Sequence, residues 1–382
     1  MKNAKKLPLV SKIKSTLLFA IAVLLLIAIF YIPIVFEFKY FYIRIALLFL
    51  FIWVITVIFV SKVIRGKLPN TLKNIALMLY TIFFLFAVSD IAFMFIPRSN
   101  GVGFSWSSRI WFKWYWKPLN SFGYRDTEPD TSKRLFLFVG DSFTAGHGTK
   151  DVNDRFSNIF QKISNPIFHN IQSVNIGKRG SDTREEFFLL ENFLRDSKIK
   201  PEYIILQYFG NDIEPVAHDM GFKYAGVTDG FVPYDDINKL GKFFVLGSYT
   251  INYFYWLFPH IKGEGYLDYL SLAYANENIF NQHKKDLLQF KNYCSLKKIP
   301  LVIVIFPLLE NVKESKNIYI NCLSKFFEES KISFIDLSDV VERIPPKDRI
   351  VNNNDQHPGL ITNKEVANAL LSYFRNKLQP SK

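Results

Sequence analysis

The sequence predicts an α/β protein with a doubly wound parallel sheet, preceded by three membrane-spanning helices. Three observations carry that expectation. Apolar stretches of about twenty residues dominate the first hundred positions, the length a helix needs to cross ~30 Å of hydrocarbon. From about Leu119 onward, short apolar runs alternate with helix-like ones, the pattern of strands and crossover helices. Leu135-Phe136-Leu137-Phe138-Val139 is apolar at every position, as a strand buried on both faces is.

The membrane stretches run from about Ser15 to Phe36, Ile45 to Val63 and Ile75 to Ile96. The first is too long for a signal-peptide core and no A-x-A-like cleavage site follows it, so it reads as a retained anchor. Lys2, Lys5, Lys6, Lys12 and Lys14 precede it; Lys62, Arg65, Lys67 and Lys73 lie between the second and third stretches. The intervening loop has only Lys39 and Arg44, offset by Glu37. Positive residues stay on the cytoplasmic side. The expectation is a multi-pass protein of the cell membrane with its N-terminus inside and everything after Pro97 on the extracytoplasmic side. Asp90 falls near the outer end of the third stretch, beside Ser89. An intramembrane acid reads either as a functional or partner-binding site or, this near the end, as a snorkelling or helix-packing residue.

Composition narrows the function classes. The chain of 382 residues is 49% hydrophobic with 39 Phe. Residues 1–117 hold 15 Lys and Arg against 2 Asp and Glu, which accounts for the whole net charge of +13; the remainder carries 32 of each sign. A neutral body lacks the basic footprint of a nucleic-acid binder. Cys294 and Cys322 belong to no Cys/His cluster, so neither a metal site nor a cofactor is expected. They read as free buried thiols, a disulfide being the alternative in an oxidising compartment.

Domain boundaries follow: 1–97 a three-helix membrane anchor, 98–133 an aromatic and basic juxtamembrane linker, 134–382 the catalytic-size domain. In the linker, four of the six tryptophans (Trp106, Trp111, Trp114, Trp116) alternate with cations, as on a segment lying at the headgroup level. A carbohydrate-stacking platform is the alternative. Strands are expected at 135–139, 173–176, 203–208, 300–306 and 332–337, with helices near 154–163, 182–195, 281–297 and 313–329. A last helix opens on the capping-box pattern Thr362-Asn363-Lys364-Glu365. An aromatic insert at about 213–280 (Gly221, Tyr224, Gly226, Phe231, Tyr234, then Tyr249 and Tyr253 to Trp256) reads as a lid or a second membrane-touching surface.

Four strand ends carry the chemistry: Gly140-Asp141-Ser142, Asn175-Ile176-Gly177 through Gly180-Ser181-Asp182, Gly210-Asn211-Asp212, and Asp355-Gln356-His357-Pro358. Singly, each is an ordinary turn: a capping serine, a turn-capping asparagine, a loop histidine. Together, on one sheet edge, they can share a cleft. His147 could compete as the base, but a residue so near the serine in sequence is badly placed to reach its hydroxyl. The second glycine of a G-x-S-x-G elbow is replaced by Thr144, which argues against an ordinary α/β-hydrolase.

In order and residue type, these blocks resemble the SGNH (GDSL-type) serine esterase superfamily over roughly 120–379, in the manner of its membrane-anchored members. The resemblance implies a flavodoxin-like sheet, with Ser142 as nucleophile, His357 as base and Asp355 as the group that orients the imidazole. It implies an oxyanion hole from the Ser142 and Gly180 backbone N–H groups and the Asn211 side chain. Many members space acid and base as D-x-x-H, whereas Asn354 holds that position here. The expected function is an extracytoplasmic esterase removing acyl groups, acetyl first among them, from an envelope or secreted polysaccharide. A polysaccharide O-acyltransferase using the same site is the runner-up. A lipid esterase or thioesterase, and a catalytically dead glycan-binding scaffold, are the further alternatives.

Overall fold

The computed structural model describes residues 7–32, 40–65, 68–100, 103–222, 237–258 and 265–378. The chain divides into two units. The first comprises Met1–Arg98, Gly103–Trp111 and Val232–His260; the second comprises Ser99–Val102, Phe112–Phe231 and Ile261–Lys382.

The first unit is helical, with helices Leu7–Tyr31, Phe41–Phe59 and Asn70–Phe93, the second continuing as a π turn over Val60–Ile64. Among the described residues two helices, Phe41–Ile64 and Asn70–Phe93, are long and apolar enough to cross a membrane, where three were expected. The apolar part described for the first helix, Thr16–Tyr31, is shorter than a span. Lys2, Lys5, Lys6, Glu37, Lys39 and Lys67 lie outside the described residues, as do the side chains of Lys12 and Lys14.

Arg44, counted above as a loop cation, lies inside the helix Phe41–Phe59 and is buried. Its Nη2 is 3.4 Å from Asp90 Oδ2, and its Nη1 donates to the Ile29 carbonyl at 2.6 Å. Asp90 also accepts from Ser248 Oγ at 2.6 Å and from the Thr250 N–H at 3.0 Å. Asp90 is thus paired and hydrogen-bonded within its own unit. Ser248 and Thr250 belong to the insert, whose helices Lys239–Gly247 and Tyr249–Tyr255 form part of this unit. Tyr224, Gly226, Phe231 and Tyr234 of the insert lie outside the described residues. Trp106 and Trp111, expected at the headgroup level, are each only 1% exposed. The Trp106 indole N–H donates to the Met94 carbonyl at 3.0 Å, a protein contact in place of a lipid one.

Among the described residues the second unit holds a five-stranded parallel sheet: β1 Arg134–Val139, β2 Ile171–Asn175, β3 Tyr203–Tyr208, β4 Leu301–Ile305 and β5 Ser333–Asp336. Their spatial order is β2-β1-β3-β4-β5. That is the flavodoxin-like doubly wound order, with the switch point between β1 and β3. Successive side chains of β1 face opposite layers: Leu135, Leu137 and Val139 enter one core, Phe136 and Phe138 the other. Each buried Phe contributes roughly 1.5–3 kcal/mol by leaving water. The five strands lie where the apolar runs predict them.

Three features differ from expectation. The final helix is Leu360–Leu378, so Thr362 lies within it and donates to the Arg349 carbonyl at 2.8 Å, with no capping role. The helix expected at 313–329 is interrupted by a π turn, Lys316–Ile320, which buries Tyr319. A short antiparallel hairpin, β6 Ile350–Asn352 and β7 Asp355–Pro358, precedes the final helix. Cys294 and Cys322 are free thiols as expected, the first buried and the second half-buried. Burial pushes the Cys294 thiol up to about 12 and the Cys322 thiol up to about 11, which makes both poor nucleophiles.

Candidate active site

β1 is followed by Gly140, where an added Cβ would run into Thr144 Oγ1 and Gln207 Oε1. The turn is therefore closed to any larger residue. Asp141 caps the short helix Ser142–Ala145 by accepting the Phe143 N–H at 2.7 Å. Gln207, at the end of β3, ties the turn to the sheet: its Oε1 accepts the Asp141 N–H at 3.2 Å and the Thr144 hydroxyl at 2.9 Å. Ser142 is thereby fixed at the carboxyl edge of the sheet, half-buried, with its hydroxyl available.

β7 supplies the other two groups. Residues i and i+2 of a strand point to one face, so Asp355 and His357 face the same way. His357 Nδ1 lies 2.5 Å from Asp355 Oδ1, and His357 Nε2 lies 2.7 Å from Ser142 Oγ. With Asp355 ionised, Nδ1 carries the proton and Nε2 presents its lone pair to the hydroxyl. Burial alone would raise the Asp355 carboxyl; His357, His147 and the Ser99 hydroxyl outweigh it and hold Asp355 well below the usual carboxylate range. Ser99 donates to Asp355 Oδ2.

His147, set aside on sequence grounds as too near Ser142, is also in the site, in a different place from the base. Gly146 turns the chain in the left-handed region (φ 75°), which brings the His147 ring flat against His357, with centroids 4.1 Å apart and planes 18° apart. His147 Nε2 lies 3.0 Å from the Asn100 carbonyl and 3.8 Å from Asp355 Oδ2. Burial, helped by His357 and Arg179 and opposed by Asp355, drives His147 down to about 3. It is neutral at physiological pH, so its contact with Asp355 is no ion pair. Phe112 stands edge-on to His147 at 5.1 Å. The linker's aromatic side chains thus include one that walls this cluster. The pair of glycines around His147 was the available signal; Ser99 and Asn100, far from the motifs in sequence, gave none.

Of the expected oxyanion donors, Gly180 is exposed, with φ 73°. An added Cβ there would meet nothing within 4 Å, so backbone conformation, and not crowding, is what requires glycine. Its turn is anchored beside Ser142, because the Lys178 N–H donates to the Gly140 carbonyl at 3.0 Å. Asn211 lies in the 3-10 turn Gly210–Ile213 after β3, and its Oδ1 is buried without a partner among the described residues.

A buried chain holds that turn from below. Tyr274 Oη donates to the Gly210 carbonyl at 3.0 Å, so the 2.5 Å contact between Tyr208 and Tyr274 is donated by Tyr208. His283 Nε2–H then donates to Tyr208 Oη at 2.8 Å. Burial drives His283 down to about 3, in keeping with a neutral ring. Asp212 and Glu186, both buried, are raised well above the usual carboxylate range by burial and then by their acidic neighbours.

No metal or cofactor was expected. Among the described residues one group could offer metal ligands, His147, Asp355 and His357, with ligand atoms within 4.8 Å of one another. Both His357 nitrogens already have hydrogen-bond partners in Asp355 and Ser142. The arrangement suits proton transfer to and from a serine hydroxyl.

No family model and no curated protein matches the chain. Among solved structures it is similar to TesA, at 13% identity over 63% of this chain and 98% of that one, with TM-score 0.40. It is similar to a lipolytic protein of the G-D-S-L family from Desulfitobacterium hafniense, at 12% identity over 63% and 99%, TM-score 0.38. It is also similar to Axe2, an acetylxylan esterase from Geobacillus stearothermophilus, at 14% over 63% and 93%, TM-score 0.38. The likeness is to G-D-S-L-type esterases. At such scores it decides nothing about this chain's chemistry, which the distances around Ser142 address directly.

Proposed function

We propose that the chain is a membrane-anchored serine esterase that removes acyl groups, acetyl first among them, from a polysaccharide outside the cytoplasm. The single observation that carries the ester chemistry is the hydrogen-bonded line Ser142 Oγ, His357 Nε2, His357 Nδ1, Asp355 Oδ1, with links of 2.7 and 2.5 Å.

In this reading Ser142 Oγ attacks the ester carbonyl while His357 Nε2 takes its proton, and Asp355 stabilises the resulting imidazolium. The carbonyl oxygen becomes an oxyanion facing the Ser142 and Gly180 N–H groups and the Asn211 amide. Collapse expels the sugar alkoxide, which takes the proton from His357. Water, deprotonated by the same imidazole, then releases acetate and restores Ser142. The extracytoplasmic side is supported by the lysines and arginines that flank the apolar stretches. A glycan substrate is supported by the aromatic wall beside the site.

The test is acetate release from acetylated envelope glycans by the purified protein and by Ser142→Ala. Release by the wild type, abolished in the variant, is expected. Acetylated glycan formed from an acyl donor, without net acetate, would replace hydrolysis by transfer.

A further inference from the structure

We infer that Arg179 is a substrate-recognising residue that selects acyl esters carried on an acidic glycan, gripping a carboxylate or phosphate next to the scissile ester. The inference rests on the esterase reading above and goes further by assigning the charge of the substrate.

Arg179 precedes Gly180, the expected oxyanion donor, in the turn anchored to Gly140, so its Cα is about 3.8 Å from that of the donor residue. Its guanidinium carbon sits 4.0 Å from the centre of the Phe112 ring and 5.6 Å from that of Trp116. A cation–π contact uses none of the guanidinium's N–H groups as conventional hydrogen bonds to oxygen. Among the described residues Arg179 makes no ion pair or hydrogen bond, and the carboxylate that acts on it, through space, is Asp355 in the site itself. Its neighbour Lys178 is already engaged by Glu185 at 2.5 Å. The residue itself lies at the exposed rim. Phe112 also packs on His147, which stacks on His357, so one aromatic wall connects the cation to the base.

A planar fork held against aromatic rings, with no hydrogen bond to the protein, matches the two oxygens of a carboxylate or a phosphodiester. A neutral acetylated glycan would leave those donors to water. A uronate or glycan phosphate within a sugar ring's reach of the ester would engage them and fix the ester against the oxyanion turn.

Binding of oligogalacturonate, of an oligomeric glycerol phosphate and of a neutral xylo-oligosaccharide to the full-length chain in detergent micelles tests this, with wild type and Arg179→Gln compared by calorimetry. The wild type is expected to prefer at least one acidic probe, and the variant to lose about tenfold of that preference. The arm that responds tells uronate from phosphate. No preference for either acidic probe, or a preference untouched in Arg179→Gln, overturns the inference. Melting curves of the variant report folding. Hydrolysis of a neutral aryl acetate by the wild type, followed in parallel, reads the esterase proposal separately. A chain that cleaves it without preferring acids loses only the inference, and one that prefers acids without cleaving loses only the esterase.

Discussion

Asp355 accepts from His357 and from Ser99, and its depressed pKa keeps it ionised wherever the imidazole needs an orienting charge. Asp355→Asn would reverse the tautomer preference at Nδ1 and should lower kcat by about 10⁴-fold with KM little changed. Steady-state kinetics on an aryl acetate checks this. Asn211→Ala, which removes an expected oxyanion donor, should cost about 10²–10³ in kcat; full activity would remove Asn211 from that role. His147 makes a prediction about pH. Its folded pKa is driven below the unfolded value, so between about pH 6.5 and pH 3 the unfolded chain binds a proton that the folded one refuses, and stability falls as the solution is acidified. His147→Gln should therefore lose less melting temperature than wild type between about pH 7 and pH 5. Asp355 titrates outside that interval, since its stabilisation is lost only below the ordinary carboxylate pKa of about 3.9.

At the scale of elements, the chain Gly210–Tyr274–Tyr208–His283 supports the turn that presents Asn211. Tyr274→Phe strands the Gly210 carbonyl and the Tyr208 hydroxyl in a buried site, which should cost about 1–3 kcal/mol. Thermal denaturation measures that loss, and kcat should fall with it. The parallel strands were legible because burial on both faces writes itself as unbroken apolar runs, Leu135–Val139 the plainest. The β6–β7 hairpin was not: its residues are mostly polar, and pairing over three or four positions leaves no periodicity to read. The final helix was placed late for a related reason. Thr362 looks like a cap by its spacing to Glu365, yet its hydroxyl serves the carbonyl of Arg349, the residue before the hairpin. The motif blocks pointed to Ser142 and His357, and to Asp355 against the usual acid-to-base spacing; the glycines flanking His147 were a local signal, while Ser99 and Arg179 owe their places to tertiary contacts that no local pattern records.

For the whole molecule, long apolar stretches and the cations between them were readable, but the partner of Asp90 was not. Arg44 was counted with a loop because the apolar run begins after it, and only the fold places it within the helix beside Asp90. Removing one member of a buried pair leaves an uncompensated charge, so Arg44→Leu or Asp90→Leu alone should cost about 3–5 kcal/mol, and the double variant less than their sum. Melting of detergent-solubilised protein tests that cycle. The charge pattern also predicts that a cysteine at the exposed Lys313 reacts with a membrane-impermeant maleimide on intact cells, whereas one at Lys62 reacts only after permeabilisation.

The hairpin β6–β7 has a mechanical consequence. His357 and Asp355, the proposed base and orienting acid, ride on a single strand two positions apart, so assembling the hydrogen-bonded line is a docking of two rigid parts, the Ser142 turn and this strand, and not of three. Any motion that lifts the strand from the sheet edge disengages imidazole and carboxylate as one piece, leaving their mutual hydrogen bond intact but out of reach of the hydroxyl.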